Sequence, residues 1–488
     1  MKLPTLSLHL PRLSPTALTA VIAIASAAVL LAGCATPGPA TPRLVETAPA
    51  ALGLKDGPGA AVQPRWWATL GDEQLAALVD RALRDQPSLA VAQARVARAL
   101  ALARVTQAAN GPQASLGVEA SRQRYSENGL FPPPIAGSVR NSGTVQAGLA
   151  WGPDWYGAQA AALASSLGQA RAAQADAAVA ANALAAQVTR AYVALARLVA
   201  QRDVAERTLA QRDELLALTR QRVSAGLDTQ VELVQADSAL PDTRAQIEAL
   251  DEQITLTRHQ LAALSGQVPA ALDSLSPVLD RLNAQALPDA LGADLLARRP
   301  DVVAARWRID AAGQDVKVAR TAFYPNVNLT AFIGLNAIGL DQVFEAGSHQ
   351  WGVTPALHLP LFDGGRLRAQ LGGREAELNT AIAQYNATVL DAVREASDTI
   401  SSLQSLQRQR REQGQALAGA QKAHDLALQR YRAGLGSYLI VLNTESQWLA
   451  QRRQAVDLQA RQLDTHVALL KALGGGWVED TATVAAAH

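Results

Sequence analysis

The sequence holds one cysteine, Cys34, in 488 residues, so no disulfide framework can hold the fold. It carries almost no net charge, +1 at pH 7, which removes the electrostatic case for a nucleic-acid partner. No proline occurs between Pro153 and Pro241, and none after Pro360. Two very long runs are therefore left with nothing to break a helix. The seven histidines, His9, His259, His349, His358, His424, His466 and His488, are scattered. No pair has metal-ligand spacing, and the chain has no Gly-x-Ser-x-Gly elbow and no Gly-Lys-Ser/Thr phosphate loop. Neither an enzyme nor a cofactor or metal is expected, and His358 reads as a solvated strand residue.

What is present is organised around a phrase that occurs twice. Gln221-Arg222-Val223-Ser224-Ala225-Gly226-Leu227-Asp228-Thr229 returns 208 residues later as Gln429-Arg430-Tyr431-Arg432-Ala433-Gly434-Leu435-Gly436-Ser437. Each copy joins two apolar runs, so each reads as the turn of a helical hairpin. Glycine takes the left-handed position that ends the first helix, and Asp228-Thr229 or Ser437 caps the second. Arg222 and Arg430, one turn earlier, are expected to bond the last helix carbonyls. The preceding helices should run from about Gly157 to Val223 and from about Gly365 to Arg432, roughly 100 Å each at 1.5 Å per residue. Helices of that length imply coiled coils or a helical tube.

The repeat extends further. Pro87 to Pro112 and Pro300 to Pro325 are matching helical spans, with Arg95, Val96 and Ala99 answered by Arg308, Ile309 and Ala312. Internal duplication thus covers most of the chain. Pro at N1 and an acid in the first turn give Arg299-Pro300-Asp301 a structural role. Trp66-Trp67 precedes a packing helix that Asp72 caps and Glu73 favours through the helix dipole, with Leu75, Leu78, Val79, Ala82 and Leu83 on one face.

After Pro112 and Pro325 the period becomes two. Ala114, Leu116, Val118 and Ala120 form one alternating set, and Val145, Ala147, Leu149 and Trp151 a second. Val327, Leu329, Ala331, Ile333 and Leu335 form a third, with Phe332 on the polar side, and Trp351, Val353, Pro355, Leu357 and Leu359 a fourth. Four strands of about ten residues suit an outer membrane. Leu116, Leu149, Leu329 and Leu357 should face lipid, with loops at 126–137 and 336–347. Pro355 and Pro360 sit uneasily in paired strands. Four strands cannot close a barrel, and open edges are costly in lipid, so the chain is expected to associate with copies of itself.

At the N-terminus, Lys2 and Arg12 precede an apolar stretch, Ala17 to Leu31, that ends at Leu31-Ala32-Gly33-Cys34. This reads as a lipoprotein signal with Cys34 as the lipid attachment point and a Pro/Ala-rich tether behind it. The expected organisation is a signal peptide at 1–33 and a lipidated tether at 34–71. The first structural repeat follows at 72–287, with a β-hairpin at 112–152 and a tip near 226. The second occupies 288–473, with a β-hairpin at 325–362 and a tip near 434, and a C-terminal tail fills 474–488.

Several phrases taken in order carry a family resemblance. They are Trp66-Trp67, Arg298-Arg299-Pro300-Asp301-Val302, Phe323-Tyr324-Pro325, Leu361-Phe362-Asp363-Gly364-Gly365, both Ala-Gly-Leu turns, and Ala472-Leu473-Gly474-Gly475-Gly476-Trp477. The sequence resembles the TolC-type outer-membrane efflux factors, in the lipoprotein branch that includes OprM and NodT. The resemblance implies a mainly α fold with a membrane β-barrel: a homotrimer with a shared twelve-stranded barrel and a periplasmic helical tunnel. It implies a periplasmic membrane-fusion adaptor, an inner-membrane pump of the RND type and outer-membrane lipid as partners. The adaptor would meet Arg222, Ala225, Gly226, Leu227, Arg430, Ala433, Gly434 and Leu435. The implied function is a passive exit duct for small molecules; a type I protein-secretion conduit and a periplasmic coiled-coil scaffold are the alternatives. Relatives often carry Leu-Asp-Ala-Gln-Arg after the second turn, where the charges help hold the tunnel shut. Here Leu442-Asn443-Thr444-Glu445-Ser446 lacks both gate charges, leaving closure to Glu445 with a partner such as Arg432, or to packing at Leu439 and Leu442.

Overall fold

The computed structural model describes residues 37, 43–48, 62–284 and 298–479. The expected signal peptide and Cys34 lie outside the described residues, as do most of the tether and 480–488 of the tail. Seven helices are named here: α1 Glu73–Asp85, α2 Pro87–Ala109, α3 Ala158–Ser224, α4 Gln230–Leu264, α5 Pro300–Thr321, α6 Arg366–Arg432 and α7 Tyr438–Ala472. The strands are β1 Gln113–Arg124, β2 Val139–Trp151, β3 Asn326–Ile338 and β4 His349–His358. α3 and α6 have 67 residues each, and α4 and α7 have 35 each. The four boundaries of one pair thus recur 208 residues on in the other. The described chain divides into two compact units that cut across the sequence repeats: one around Ala99–Ala170 and Arg308–Ile382, the other around Arg171–Trp307 and Ala383 onward.

The first unit contains a four-stranded antiparallel sheet in the order β1-β2-β3-β4. Leu116 pairs with Ala147, Ala147 with Ile333 and Ile333 with Trp351. Directly opposed residues share a face, so this register puts Leu116, Leu149, Leu329 and Leu357 together on one apolar face. That face is open: Leu116, Ile333 and Trp351 are 72%, 67% and 77% exposed. Phe332 stays on the polar face because Gly352 makes room for its ring; a Cβ there would lie 2.6 Å from the Phe332 ring. The strands run further than the alternation suggests. β3 continues through Asn336–Ile338, expected as loop, because the Asn336 amide donates to the Thr144 hydroxyl across the strand pair at 2.8 Å. β4 ends at His358, which leaves Pro360 outside the sheet, while Pro355 lies within β4 opposite Leu329 of β3.

In the second unit the core gathers Trp66, Leu70, Leu75, Val79, Val188, Tyr192, Leu195, Leu261 and Val467. Asp72 caps α1 by accepting from the Gln74 and Leu75 amides, and its other oxygen accepts from the buried Tyr192 hydroxyl at 2.9 Å. Alanines 185, 186, 191 and 196 of α3 are buried, so the small side chains lie at helix contacts. Arg299 has a structural place: it is buried, forks onto Asp301, and donates to Glu395 and to the Ala472 carbonyl at the end of α7. The first residues of the tail are packed. A Cβ on Gly474 would lie 2.2 Å from the Arg298 carbonyl, and one on Gly476 2.2 Å from that of Gln63.

Candidate functional site at the hairpin tips

Both repeated turns lie in the second unit, and their backbones match. At the first, the Leu227 amide donates back to the Arg222 carbonyl at 2.8 Å and Gly226 takes φ 72°. At the second, the Leu435 amide donates to the Arg430 carbonyl at 2.8 Å and Gly434 takes φ 76°. This is the closing bond that ends a helix on a left-handed glycine. Ala225, Gly226, Leu227, Ala433, Gly434 and Leu435 are all exposed. Leu227 and Leu435 are the large apolar surfaces presented there, with Val231, Val234, Leu439 and Ile440 beside them in sequence and also exposed.

The caps differ from expectation. Thr229 caps α4 in a full capping box with Glu232, whereas Ser437 holds the same position before α7 without a side-chain bond. The third residue of α7 is Ile440, which cannot reciprocate as Glu232 does. Asp228 does not cap. Both its oxygens accept from Arg222, at 2.8 and 3.2 Å.

Arg222 is enclosed rather than presented to solvent. Besides Asp228 it donates to the Tyr431 carbonyl at 3.1 Å, a last-turn carbonyl of α6 and not of its own helix, and its guanidinium lies 4.5 Å over the Tyr431 ring. Tyr431 is fully buried, and its hydroxyl donates to Asp228 and lies 3.2 Å from the Thr219 hydroxyl. The Arg222 hydrogen bond, against the opposing effect of burial, holds the Asp228 carboxyl below its ordinary range. Burial, aided by Asp228, pushes the Tyr431 hydroxyl up. Arg430 is exposed and, among the described residues, donates only to the Leu435 carbonyl of its own turn, at 3.3 Å.

The expected gate stretch separates into two environments. Leu439, Asn443 and Ser446 are exposed, and the Ser446 hydroxyl donates to the Leu442 carbonyl. Leu442 packs against the cluster of Leu216, Leu240, Tyr431, Tyr438 and Val441, where burial pushes the Tyr438 hydroxyl up to about 12. Glu445 is buried, and its partner is Arg212 of α3, not Arg432: two bonds of 3.3 and 3.2 Å form a fork. Arg212 also donates to the Thr243 hydroxyl and the Ala239 carbonyl, beside Pro241 inside α4. Sequence reasoning missed Arg212, Thr243 and Tyr431. A signal for one was available, since Val223 and Tyr431, like Asp228 and Gly436, are unlike residues at equivalent places in the repeat. Among the described residues no group of three His, Cys, Asp or Glu side chains is placed to hold a metal.

Residues 78–267 and 291–475, more than half the chain, match the model of the outer membrane efflux protein family. The chain belongs to that family. It is a TolC-type channel protein of the outer membrane. It is similar to the multidrug resistance outer membrane protein MdtQ of Escherichia coli O6:H1, at 32% identity over 92% of this chain and 96% of that protein. It is also similar to the solved structure of the outer membrane protein VceC from Vibrio cholerae, at 34% identity and a TM-score of 0.76, covering 85% of this chain and 99% of that one. The outer-membrane channel OprN gives 27% identity and a TM-score of 0.79, over 91% and 99% of the two chains.

Proposed function

We propose that three copies of the chain form the passive exit duct of a tripartite efflux system, discharging small molecules handed over by an inner-membrane pump through a periplasmic adaptor. The observation that carries this is the sheet. Its apolar face is open, and within one chain β1 and β4 each leave an edge unpaired, a state that lipid does not tolerate. Pairing β1 of one copy with β4 of the next removes every edge and gives twelve strands. The names of MdtQ and its relatives favour small-molecule drugs over a secreted protein as cargo; an RND-type pump as the source is proposed from the family resemblance alone. The chain has no catalytic role in this reading.

The exposed residues of the two turns, led by Leu227 and Leu435 with Arg430 beside them, are proposed as the adaptor contact, while Arg222 acts from within by holding the two tips together. Closure rests on that linkage, on Glu445 with Arg212, and on the apolar side chains Leu439 and Leu442. Cys34 is proposed to carry lipid, with the signal at 1–33 removed. The duplicated halves are placed at 72–287 and 288–473, supported by the 208-residue recurrence of helix boundaries. The test is reconstitution of the purified full chain in planar bilayers, with heat-modifiable mobility on gels as the assay of assembly. Discrete channel currents from a heat-dissociable trimer are expected; a monomer without currents would overturn the proposal.

A further inference from the structure

The extracellular end of the sheet suggests what it binds besides acyl chains. β1 and β2 extend beyond their apolar stretch, and the residues there on the same outward face are Arg122, opposite Asn141, and Arg124, opposite Val139. Along β2 the apolar side of the sheet runs from Trp151 to Gly143. Asn141 is ten residues from Trp151, which is roughly 34 Å along a strand and about 26 Å of height at a tilt near 40°. An outer-membrane barrel carries an apolar band of about 25 Å, so the arginine row falls at its upper rim, the depth of lipid headgroups.

Just below that row the outward face is covered from outside. A Cβ on Gly143 would lie 2.7 Å from Val343 and 3.1 Å from Leu340, so the β3–β4 loop folds over this glycine on the lipid side. Val343 is buried there, while Phe344, next in the chain, is 80% exposed. An exposed aromatic ring on this loop and an exposed guanidinium on the arginine row suit an amphipathic neighbour with acyl chains below and anionic groups above. Arg124 already pairs with Glu127 at 3.0 Å. Arg122 is exposed and makes no hydrogen bond or ion pair to the described residues.

We propose that Arg122 holds a phosphate of the glycolipid in the outer leaflet. The proposal goes beyond the exit-duct reading and needs only the sheet's place in the outer membrane. The neighbouring loop carries Asp341 and Glu345, so the attraction belongs to the Arg122 row and not to the whole rim. Arg140 provides an internal control. It is on the same hairpin but opposite Gln123, on the polar face.

The test uses the full-length protein, assembled and purified, in zwitterionic nanodiscs doped with bisphosphorylated lipid A, with its dephosphorylated form, or with phosphatidylglycerol. Native mass spectrometry counts the glycolipid retained after dilution. A basic residue at an anionic surface contributes about 1 kcal/mol, so Arg122→Ala should lower retention of the phosphorylated form about fivefold. Arg122→Lys should keep most of it, and Arg140→Ala should leave it unchanged. Equal retention by Arg122→Ala and wild type would overturn the proposal, as would equal retention of the dephosphorylated form. Equal retention of phosphatidylglycerol would overturn the assignment to the glycolipid. Unchanged channel currents in every variant would separate this result from failure of the duct itself.

Discussion

The two hairpin tips share a backbone and differ in what their side chains hold. Helix ends, left-handed glycines and closing bonds coincide at a 208-residue spacing. Yet Val223 answers Tyr431, Asp228 answers Gly436, and Glu232 answers Ile440. The first hairpin supplies Arg212, Arg222 and Asp228; the second supplies Tyr431 and Glu445 as their counterparts. Duplication made two equal frames, and the linkage between them comes from residues that are not equivalent. Asp237 shows the contrast: it stands where Glu445 stands in the second copy, but pairs with Arg220 at 3.3 Å on an exposed surface. Exposed pairs of that kind contribute about 0 to 1 kcal/mol.

The largest effect should come from breaking the enclosed pair. Glu445→Ala leaves the Arg212 guanidinium buried without its carboxylate, a change that costs about 3 to 5 kcal/mol in comparable sites. Asp237→Ala should cost well under 1 kcal/mol. Denaturant unfolding of the assembled protein, or its thermal midpoint, checks both, and equal losses would erase the distinction between the copies.

Asp228→Asn comes next. It removes the charge that accepts from Arg222 and Tyr431 and should cost about 1.5 to 3 kcal/mol, while Gly436→Asp should not recreate the pair at the second tip, where Arg430 faces outward. The pH dependence has a definite sign. The folded Asp228 carboxyl is depressed, so its contribution is fully present above the ordinary Asp value of about 3.9 and is lost as pH falls below it through the folded value. The protection factors of the tip amides, measured against intrinsic exchange at each pH, should therefore stay high at pH 5 in wild type and fall only in stronger acid. In Asp228→Asn they should already be low at pH 5, without this acid transition.

A smaller asymmetry sits at the caps. Thr229→Ala removes a side chain that caps α4 and should cost about 1 kcal/mol, while Ser437→Ala removes one that bonds nothing and should change stability by less than about 0.5 kcal/mol. Paired unfolding curves decide it. Equal losses would show that Ser437 caps α7 in solution.

How much of this was legible follows from the range of each interaction. Proline-free runs ended by glycine are local signals, and they located α3, α6 and both tips to within a residue. Period two put the four leucines on one face of the sheet, but did not give the ends of β3 and β4, because Asn336 reads as loop until its bond to Thr144, 192 residues away, is seen. The partner of Glu445 is 233 residues distant on another helix, and nothing in either neighbourhood encodes the pairing. Arg222 was grouped with the adaptor contacts, but Asp228 in its own turn and the carbonyl and ring of Tyr431, 209 residues away, enclose it.

The smallest expected effect concerns the positions where both tips would need the help of a neighbouring copy. Asn443 and Ser446 are exposed, so the missing gate charges are not replaced by Glu445, which is committed to Arg212. Restoring them with Asn443→Asp and Ser446→Arg adds an exposed pair worth about 0.2 to 1 kcal/mol. In the proposed trimer this should lower single-channel conductance, with partial recovery at raised salt. The two positions are three residues apart on α7, so the new charges also neighbour each other within one helix and could gain about 0.2 to 0.5 kcal/mol without touching closure. Ser446→Arg alone separates the cases. If closure depends on contact between copies, the single variant changes conductance differently from the double one and both respond to salt. If neither changes conductance, closure belongs to the enclosed linkage and to Leu439 and Leu442, and Leu439→Ala should then raise it.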